Sequence, residues 1–453
     1  MSKLKDTLSY LQTKRIVVLG AGLTGLSCVS FLKQHNIDCA VNDSRKEITG
    51  LDLTNYSNAE FHFGSWNEDL LSNADVIIAS PGIDLEKEGI TKLLSSQCDL
   101  MGDVELFCRV NDKPIIAVTG SNGKSTVVSL LAYVGEQLGY SITLAGNIGT
   151  PVLSQPINQS DFIVLELSSF QLETIKHLNA LAATVLNVSD DHLDRHKTLD
   201  NYAEIKNRIF IGCENKVVNR LEGTSAQLRE NARFTYGKDK ATAANFGVTK
   251  TNGGLALTQG DKILVELKAL PLAGLHNAEN YAAALALGVA SGWSLNDMLV
   301  HLAGFKGLEH RCQRVETNST KQWINDSKAT NVGAAIAAID GLASGLGDDA
   351  SLILIAGGDG KGADFRPLAA KVHKNIKHCV VFGKDAAVLK SLIPQSVLVS
   401  NIEEAVIKAD ELSKAGDLIM LSPACASIDM YRNYMERGEL FTSAVKALDK
   451  EAL

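Results

Sequence analysis

The sequence predicts an α/β protein whose domains are each built on a parallel sheet. Three observations carry that expectation. Short β-rich runs lead into glycines in each of three blocks of the chain. Helix-like stretches separate those runs, the alternation that a parallel sheet requires. At 453 residues the chain is also longer than one core serves, so two or three domains are expected.

The first block has Ile16-Val17-Val18-Leu19, then Gly20-Ala21-Gly22-Leu23-Thr24-Gly25, an apolar helix-like stretch, and Cys39-Ala40-Val41-Asn42-Asp43. This is a βαβ unit with the G-x-G-x-x-G fingerprint and an acid about twenty residues on. By itself it suggests NAD or FAD with Asp43 on a ribose. Asp43-Ser44-Arg45 suits other nucleotides as well, and a tight turn needing glycine for packing would read the same. Val76-Ile77-Ile78-Ala79, before Ser80-Pro81-Gly82, is a further strand.

The second block starts near Asp103. Its strand-like Ile115-Ile116-Ala117-Val118-Thr119 runs into Gly120-Ser121-Asn122-Gly123-Lys124-Ser125-Thr126 and a helix-like Val127–Ala132. Strand, glycine-rich turn, Lys-Ser/Thr and helix make a phosphate-binding loop. Backbone N–H groups and the positive helix end meet phosphates, Lys124 adds a point charge, and Ser125 stands where a hydroxyl ligates Mg²⁺. A strict Walker A pattern has glycine where this chain has Val118.

Phe162-Ile163-Val164-Leu165-Glu166 and Ala183-Thr184-Val185-Leu186-Asn187 are continuous apolar runs of buried-strand type. Glu166, at a strand's carboxyl end, faces the crevice where such sheets bind ligands, and beside a phosphate loop such a group holds Mg²⁺. Asp190-Asp191-His192-Leu193-Asp194-Arg195-His196 could ligate a metal, orient a nucleophile, or form a polar loop with capping aspartates. Lys206, on a helix with Tyr202, reads alone as a surface lysine. The Asn-, Gly- and Thr-rich stretch from Val217 to Val265 predicts antiparallel decoration, and His276 to Val289 predicts a helix.

The third block begins near Leu308. Its strands are Ser351–Ala356, which leads into Gly357-Gly358-Asp359-Gly360-Lys361-Gly362, then Cys379–Gly383 and Asp417–Leu421. Asn325-Asp326-Ser327-Lys328-Ala329-Thr330-Asn331 and Asp359-Gly360-Lys361 set cations among small polar residues, as suits a carboxylate or phosphate, or a plain turn. Ser422-Pro423-Ala424-Cys425-Ala426-Ser427 precedes a helix expected to begin near Ile428. Ser427 is then an N-cap or a ligand donor.

A net charge of −8 and the lack of any Lys/Arg run argue against nucleic acid. No apolar stretch reaches the ~18 residues of a spanning helix, and the glycines after Leu19 interrupt any signal-peptide pattern. Eight cysteines without a C-x-x-C pair read as reduced thiols. The expectation is a soluble, cytoplasmic protein.

Together the blocks resemble the Mur ligase family of ATP-dependent amide-forming enzymes of bacterial cell-wall synthesis, over essentially the whole chain. The motifs are Val118-Thr119-Gly120 ahead of Ser-Asn-Gly-Lys-Ser-Thr, then Glu166-Leu-Ser-Ser, Asn187 with Asp191-His192-Leu193-Asp194, and Tyr202 with Lys206. His276-Asn277 with Asn280, His310-Arg311, and Asp326-Ser327-Lys328-Ala329-Thr330 follow in order. The resemblance accounts for Val118. Gly357-Gly358-Asp359-Gly360-Lys361 and Ser422–Ser427 look like the member that adds D-glutamate. The Asp-Asn-Pro-Arg and His-His-Pro motifs of other members are absent.

The resemblance implies Rossmann-like N-terminal and C-terminal parallel-sheet domains flanking a P-loop ATPase-type central domain. They would be a UDP-muropeptide-binding domain over 1–102, an ATP-binding domain over 103–307, and an amino-acid-binding domain over 308–453, hinged near 102 and 308. The implied activity is ATP-dependent addition of D-glutamate to UDP-N-acetylmuramoyl-L-alanine through an acyl phosphate, by a monomer without nucleic-acid or membrane partners. Leu23, Thr24, Asp43, Arg45 and Gly82 would hold the UDP part, with Asn147 near the reacting carboxylate. Gly120, Ser121, Asn122, Gly123, Lys124, Ser125 and Thr126, with Asn277, Asn280, Arg311 and Asp326, would hold ATP. Ser125, Glu166, His192 and Lys206, the last carbamylated, would lie at two Mg²⁺ ions. The catalytic set would be Lys124, Glu166, His192 and Lys206. Lys328, Thr330, Lys361, Ser427 and Tyr434 would hold D-glutamate. The chain departs from the family at Tyr434, where phenylalanine is expected, and at Asn219-Arg220-Leu221-Glu222, where many members read Asn-x-Asp-Asp. A folylpolyglutamate synthase-like ligase, or a nucleotide-binding protein without catalysis, are the rival readings.

Overall fold

A computed structural model describes residues 2–451 except Asp190, Asn252, Gly253, Ala273, Ser344, Gly345, Gly347, Asp348 and Asp349. The chain forms two compact units. The first comprises Met1–Gly247, Thr258–Leu264 and Asn280–Leu302, and the second Val248–Leu257, Val265–Glu279 and Ala303–Leu453.

Two parallel sheets organise the first unit. The N-terminal one contains β1 (Ile16–Leu19), β2 (Cys39–Asp43), β3 (Ala59–Phe63), β4 (Val76–Ala79) and β5 (Asp99–Gly102) in the order β3-β2-β1-β4-β5. β1 and β4 are buried at every residue, which is why they read as unbroken apolar runs. The order reverses at β1, so the Gly20 turn and the Ser80-Pro81-Gly82 turn share the crevice at the strands' carboxyl ends. Gly25 is required there, because a Cβ would land on the Gly20 carbonyl as helix Leu23–Gln34 leaves the sheet.

The central sheet contains β6 (Ile115–Thr119), β7 (Ile142–Gly146), β8 (Phe162–Glu166), β9 (Ala182–Val185), β10 (Asn215–Asn219) and β11 (Phe234–Tyr236) in the order β11-β10-β9-β6-β8-β7, all parallel. β10 and β11 correct the expectation of antiparallel decoration from Val217 onward. Val217, Val218, Phe234 and Tyr236 bury side chains and extend the parallel sheet. Only β12 (Phe246–Thr251), β13 (Gly254–Gln259) and β14 (Lys262–Glu266) form a separate three-stranded sheet. The expected helix at His276 spans Leu275–Ala290. With β6 between β9 and β8, one crevice receives the loop at Gly120, the end of β8 at Glu166 and the residues after β9.

The second unit holds β15 (Gln313–Val315), β16 (Gln322–Asn325), β17 (Leu352–Gly357), β18 (His378–Phe382), β19 (Val397–Leu398) and β20 (Leu418–Leu421). Their order is β15-β16-β20-β17-β18-β19. All pair in parallel except the edge strand β15. Helix Arg366–Asn375 packs one core and helix Ile402–Leu412 the other, on opposite faces of the sheet. The last helix begins at Tyr434 rather than near Ile428. Residues 428–430 are a turn whose amides return to Ser427, with Met430 and Tyr431 both donating to its carbonyl. Asn433 caps the helix instead, its Oδ1 accepting from the Glu436 amide at 3.0 Å.

Candidate active site

The loop after β6 is held from the end of β9. The Ser121 amide donates to the Asn187 carbonyl at 2.8 Å. The Asn122 amide donates to Asn187 Oδ1 at 2.8 Å, and Asn187 Nδ2 returns a bond to the Asn122 carbonyl at 3.1 Å. Ser121 Oγ accepts from the Ser189 amide at 3.0 Å. Gly123 takes φ +85°, and Asn280 Oδ1 lies where its Cβ would be, so the turn admits no other residue without strain. Helix Lys124–Gln137 then points its N-terminus at the loop.

Two cations converge on that turn. Lys124 Nζ donates to the carbonyls of Gly120 at 2.6 Å and Ser121 at 2.9 Å. Lys206 Nζ donates to the same Gly120 carbonyl at 3.0 Å and lies 4.3 Å from the Tyr202 ring centre. Lys206 is buried at 1% exposure, which corrects its reading as a surface lysine. Burial first, then the Lys124 charge, pull its ammonium well below the usual lysine range.

Opposite them the oxygen groups gather. Ser125 Oγ donates to Glu166 Oε2 at 2.5 Å, and Asn147 Nδ2 donates to Glu166 Oε1 at 2.9 Å. His192, at φ +53°, stands at the start of helix Leu193–His196 with its Nε2 3.7 Å from Asp191 and its ring edge-on to Phe170. Asp190 lies outside the described residues. His196 is buried, stacked on Tyr202 and bonded to Ser169 Oγ at 2.9 Å, and burial lowers its pKa to about 4. A neutral packed imidazole is a structural role. Among the described residues no three His, Cys, Asp or Glu side chains form a ready metal cage.

The first crevice has its own polar centre. Asp43 accepts from the Ala21 amide at 2.8 Å and from Arg45 Nε at 2.9 Å. The Arg45 guanidinium, above all, holds its carboxyl down at about 2. Leu23 is 83% exposed at the first turn of its helix, beside half-buried Thr24. Gly82 is exposed after β4.

In the second unit Asp326 is buried after β16. It accepts from Ser422 Oγ at 2.7 Å and the Cys312 amide at 3.1 Å, and burial raises its pKa to about 6. Asn277 is buried and Arg311 half-buried. Lys328 Nζ sits 3.9 Å from the Tyr434 ring centre, Ser427 is buried, Thr330 half-buried, and Lys361 exposed at φ +52°.

Family models match three stretches: "Mur ligase MurD-like, N-terminal domain" over 14–102, "Mur ligase middle domain" over 118–288, and "Mur ligase, glutamate ligase domain" over 310–425. The chain belongs to the Mur ligase family. A UDP-N-acetylmuramoylalanine–D-glutamate ligase of Colwellia psychrerythraea is 50% identical over 463 residues, covering 97% of this chain and 98% of that relative. The same-named protein of Coxiella burnetii (strain CbuK_Q154) is 42% identical, covering 95% and 98%. Among solved structures, a Thermotoga maritima MurF ligase in complex with ADP aligns at TM-score 0.62 and 15% identity over 98% of this chain and 99% of that one. Escherichia coli FolC aligns at TM-score 0.57 and 16% identity, covering 78% of this chain and 94% of its own. As a Mur ligase the chain is an enzyme that uses ATP.

Glu222 shows what the segment 219–222 does in this chain. Its carboxylate accepts from the Val188 amide at 3.0 Å, while Asn219 Nδ2 donates to the Leu186 carbonyl at 2.8 Å, so both brace the segment carrying Asn187. In the sequence Asn187 closes an apolar run and belongs to a motif that does not itself say it would hold the phosphate loop. Its place directly after a buried strand beside the phosphate loop was the available signal. Arg195 and Arg437, the latter wholly buried, had none, since arginine on a helix reads as solvated.

Proposed function

We propose that the chain joins D-glutamate to UDP-N-acetylmuramoyl-L-alanine with cleavage of ATP to ADP and phosphate. The observation that carries the reading is the convergence at the end of β6. A phosphate loop presents Lys124, while Ser125 and Asn147 meet on Glu166. Relatives at 42–50% identity over nearly the whole chain support the choice of substrates. FolC covers a smaller share of this chain, while residues 14–102 match a Mur N-terminal domain, which favours the muropeptide over the folate reading.

The L-alanine carboxylate attacks the γ-phosphorus, ADP leaves, and the acyl phosphate is attacked by the glutamate amine. The tetrahedral adduct loses a proton and expels phosphate. Two anions about 4 Å apart repel by about 4 kcal/mol at an effective dielectric near 20, and Lys124 offsets that repulsion. Asn147 orients the attacking carboxylate beside Glu166. Ser125 and Glu166 offer adjacent hard oxygens of the kind Mg²⁺ takes. With His192 and a carbamylated Lys206 they would hold two Mg²⁺ ions, which supply neutralisation of the triphosphate. Lys206 suits carbamylation because burial and the Lys124 charge disfavour its ammonium, and the free amine is the form that adds to CO₂ with loss of a proton.

Leu23, Thr24, Asp43, Arg45 and Gly82 take the uridine diphosphate part. Asn277, Asn280, Arg311 and Asp326 take the rest of ATP, and Lys328, Thr330, Lys361, Ser427 and Tyr434 take D-glutamate. Domain boundaries near 102 and 307, a monomeric state, and a cytoplasmic setting without nucleic-acid or membrane partners complete the reading. Eight unpaired cysteines and the negative net charge support it.

The test is phosphate release with UDP-N-acetylmuramoyl-L-alanine, comparing D-glutamate, L-glutamate, L-lysine and folate substrates. Turnover is expected with D-glutamate alone; equal turnover with L-glutamate rejects the assignment. Lys124→Ala is expected to abolish ADP release while UDP-muropeptide binding persists.

A further inference from the structure

Arg437, on the last helix, is the largest fully buried side chain among the described residues, at 0% exposure. Its guanidinium is spread over two loops and the last residue of β17. Nε donates to Ser327 Oγ at 3.0 Å and Nη2 to the Ser327 carbonyl at 2.7 Å. Nη1 is shared among the carbonyls of Cys425 at 3.1 Å, Ala426 at 3.3 Å and Gly357 at 3.5 Å. Every one of these acceptors is an uncharged oxygen. Burial lowers the pKa only to about 10, so the group stays charged at neutral pH.

A buried charge hydrogen-bonded only to neutral oxygens is costly, and an apolar side chain would fill the space more cheaply. What the guanidinium provides is a rigid planar fork, which a lysine cannot reproduce. It thus ties the carboxyl ends of β16, β17 and β20, from which three loops leave at the point where the sheet order reverses. They carry Lys328 and Thr330, Lys361, and Ser427. Ser327 Oγ in turn donates to the Tyr434 carbonyl at 2.8 Å, so the aromatic position is tied to the same centre.

We infer that Arg437 is a positioning residue for the amino-acid substrate: it sets the three loops at the spacing and charge that admit a dicarboxylic amino acid, without touching it. This rests on the D-glutamate reading above. D-glutamate-dependent phosphate release by the unaltered enzyme tests that reading by itself, so the two can fail separately.

The experiment is steady-state phosphate release by full-length Arg437→Met and Arg437→Lys, varying each substrate in turn. In Arg437→Met the KM for D-glutamate is expected to rise about tenfold or more, with the KM values for ATP and UDP-N-acetylmuramoyl-L-alanine within about twofold of the original. Arg437→Lys, keeping charge but losing the fork, is expected to recover only part of the loss. A fall in kcat with the D-glutamate KM unchanged, an equal rise for all three substrates, or full recovery by lysine overturns the inference. If Arg437→Met does not fold, Ser327→Ala carries the test. It is expected to raise the D-glutamate KM about threefold or more, and an unchanged value rejects the role.

Discussion

The ring at Tyr434, where the resemblance leads one to expect phenylalanine, offers Lys328 a face that either residue would present. Lys328 places its ammonium 3.9 Å from the ring centre, and that attraction comes from the π face, which phenylalanine and tyrosine share. The neighbouring backbone is fixed by Ser327 Oγ on the Tyr434 carbonyl, which no side-chain change removes. Because the shared π face carries the contact, Tyr434→Phe is expected to shift the D-glutamate KM by less than about threefold, below the roughly fivefold that losing one net hydrogen bond would cost. A larger change, read from initial rates, would show that the hydroxyl takes part in binding. Lys206 and Arg437 illustrate why single residues were the least legible scale. Lysine and arginine on helices are ordinarily solvated, and nothing in their own sequence neighbourhood says that the distant Gly120 carbonyl, or four backbone carbonyls, wait for them.

At the scale of elements, helix Asp103–Val110 carries an instructive conflict. Asp103 sits in its first turn, where the helix dipole favours a carboxylate, yet it is 3% exposed. Burial dominates and raises its pKa to about 6, against backbone bonds from Val104 and Asp103 that lower it. A carboxyl raised on folding binds its proton more tightly in the native state. The penalty is thus absent below the unfolded value near 4 and complete above about 6, so stability falls as pH rises through that window. Two units correspond to roughly 3 kcal/mol as an upper bound. Asp103→Asn is expected to flatten the fall in urea-unfolding stability between about pH 4 and pH 7, with the difference from the original enzyme growing toward neutral pH. Parallel slopes would mean that the carboxyl is ionised throughout. The elements themselves were legible where both faces are buried, as in β1, β4, β6 and β8, because such strands need unbroken apolar runs. β10 and β11 were not, since Asn215, Lys216 and Thr235 are only half-buried and break the run. The turn at 428–430 hid the true helix start, because it is set by bonds back to Ser427 and not by any periodicity.

At the scale of the whole molecule, the three strand-end crevices were legible because glycines and acids at the ends of apolar runs mark them. What the sequence could not show is how far the first two sheets are joined. Val18 of the N-terminal sheet, with Phe31 and Leu32 of the helix Leu23–Gln34 that covers it, belongs to one apolar core with Phe107, Ile115, Ile163, Leu165 and Val218. Polar ties run the same way. Arg195 donates to the Pro81 carbonyl at 2.9 Å and the Ile83 carbonyl at 3.0 Å while pairing with Glu173 at 2.5 Å and covering the Phe170 face. Burial pushes the Glu173 carboxyl up, so this ion pair has been taken largely out of water. A shared core and a desolvated pair both require β1 and β6 to open together. In native-state hydrogen exchange at rising urea, their amides are expected to merge into one unfolding transition. Arg195→Ala leaves Glu173 without its partner, and the merged transition is expected to lose about 2–4 kcal/mol for both strands equally. If β1 opens well before β6, or if the substitution weakens β1 alone, the two sheets are separate folding units and the boundary near residue 102 is mechanical as well as topological.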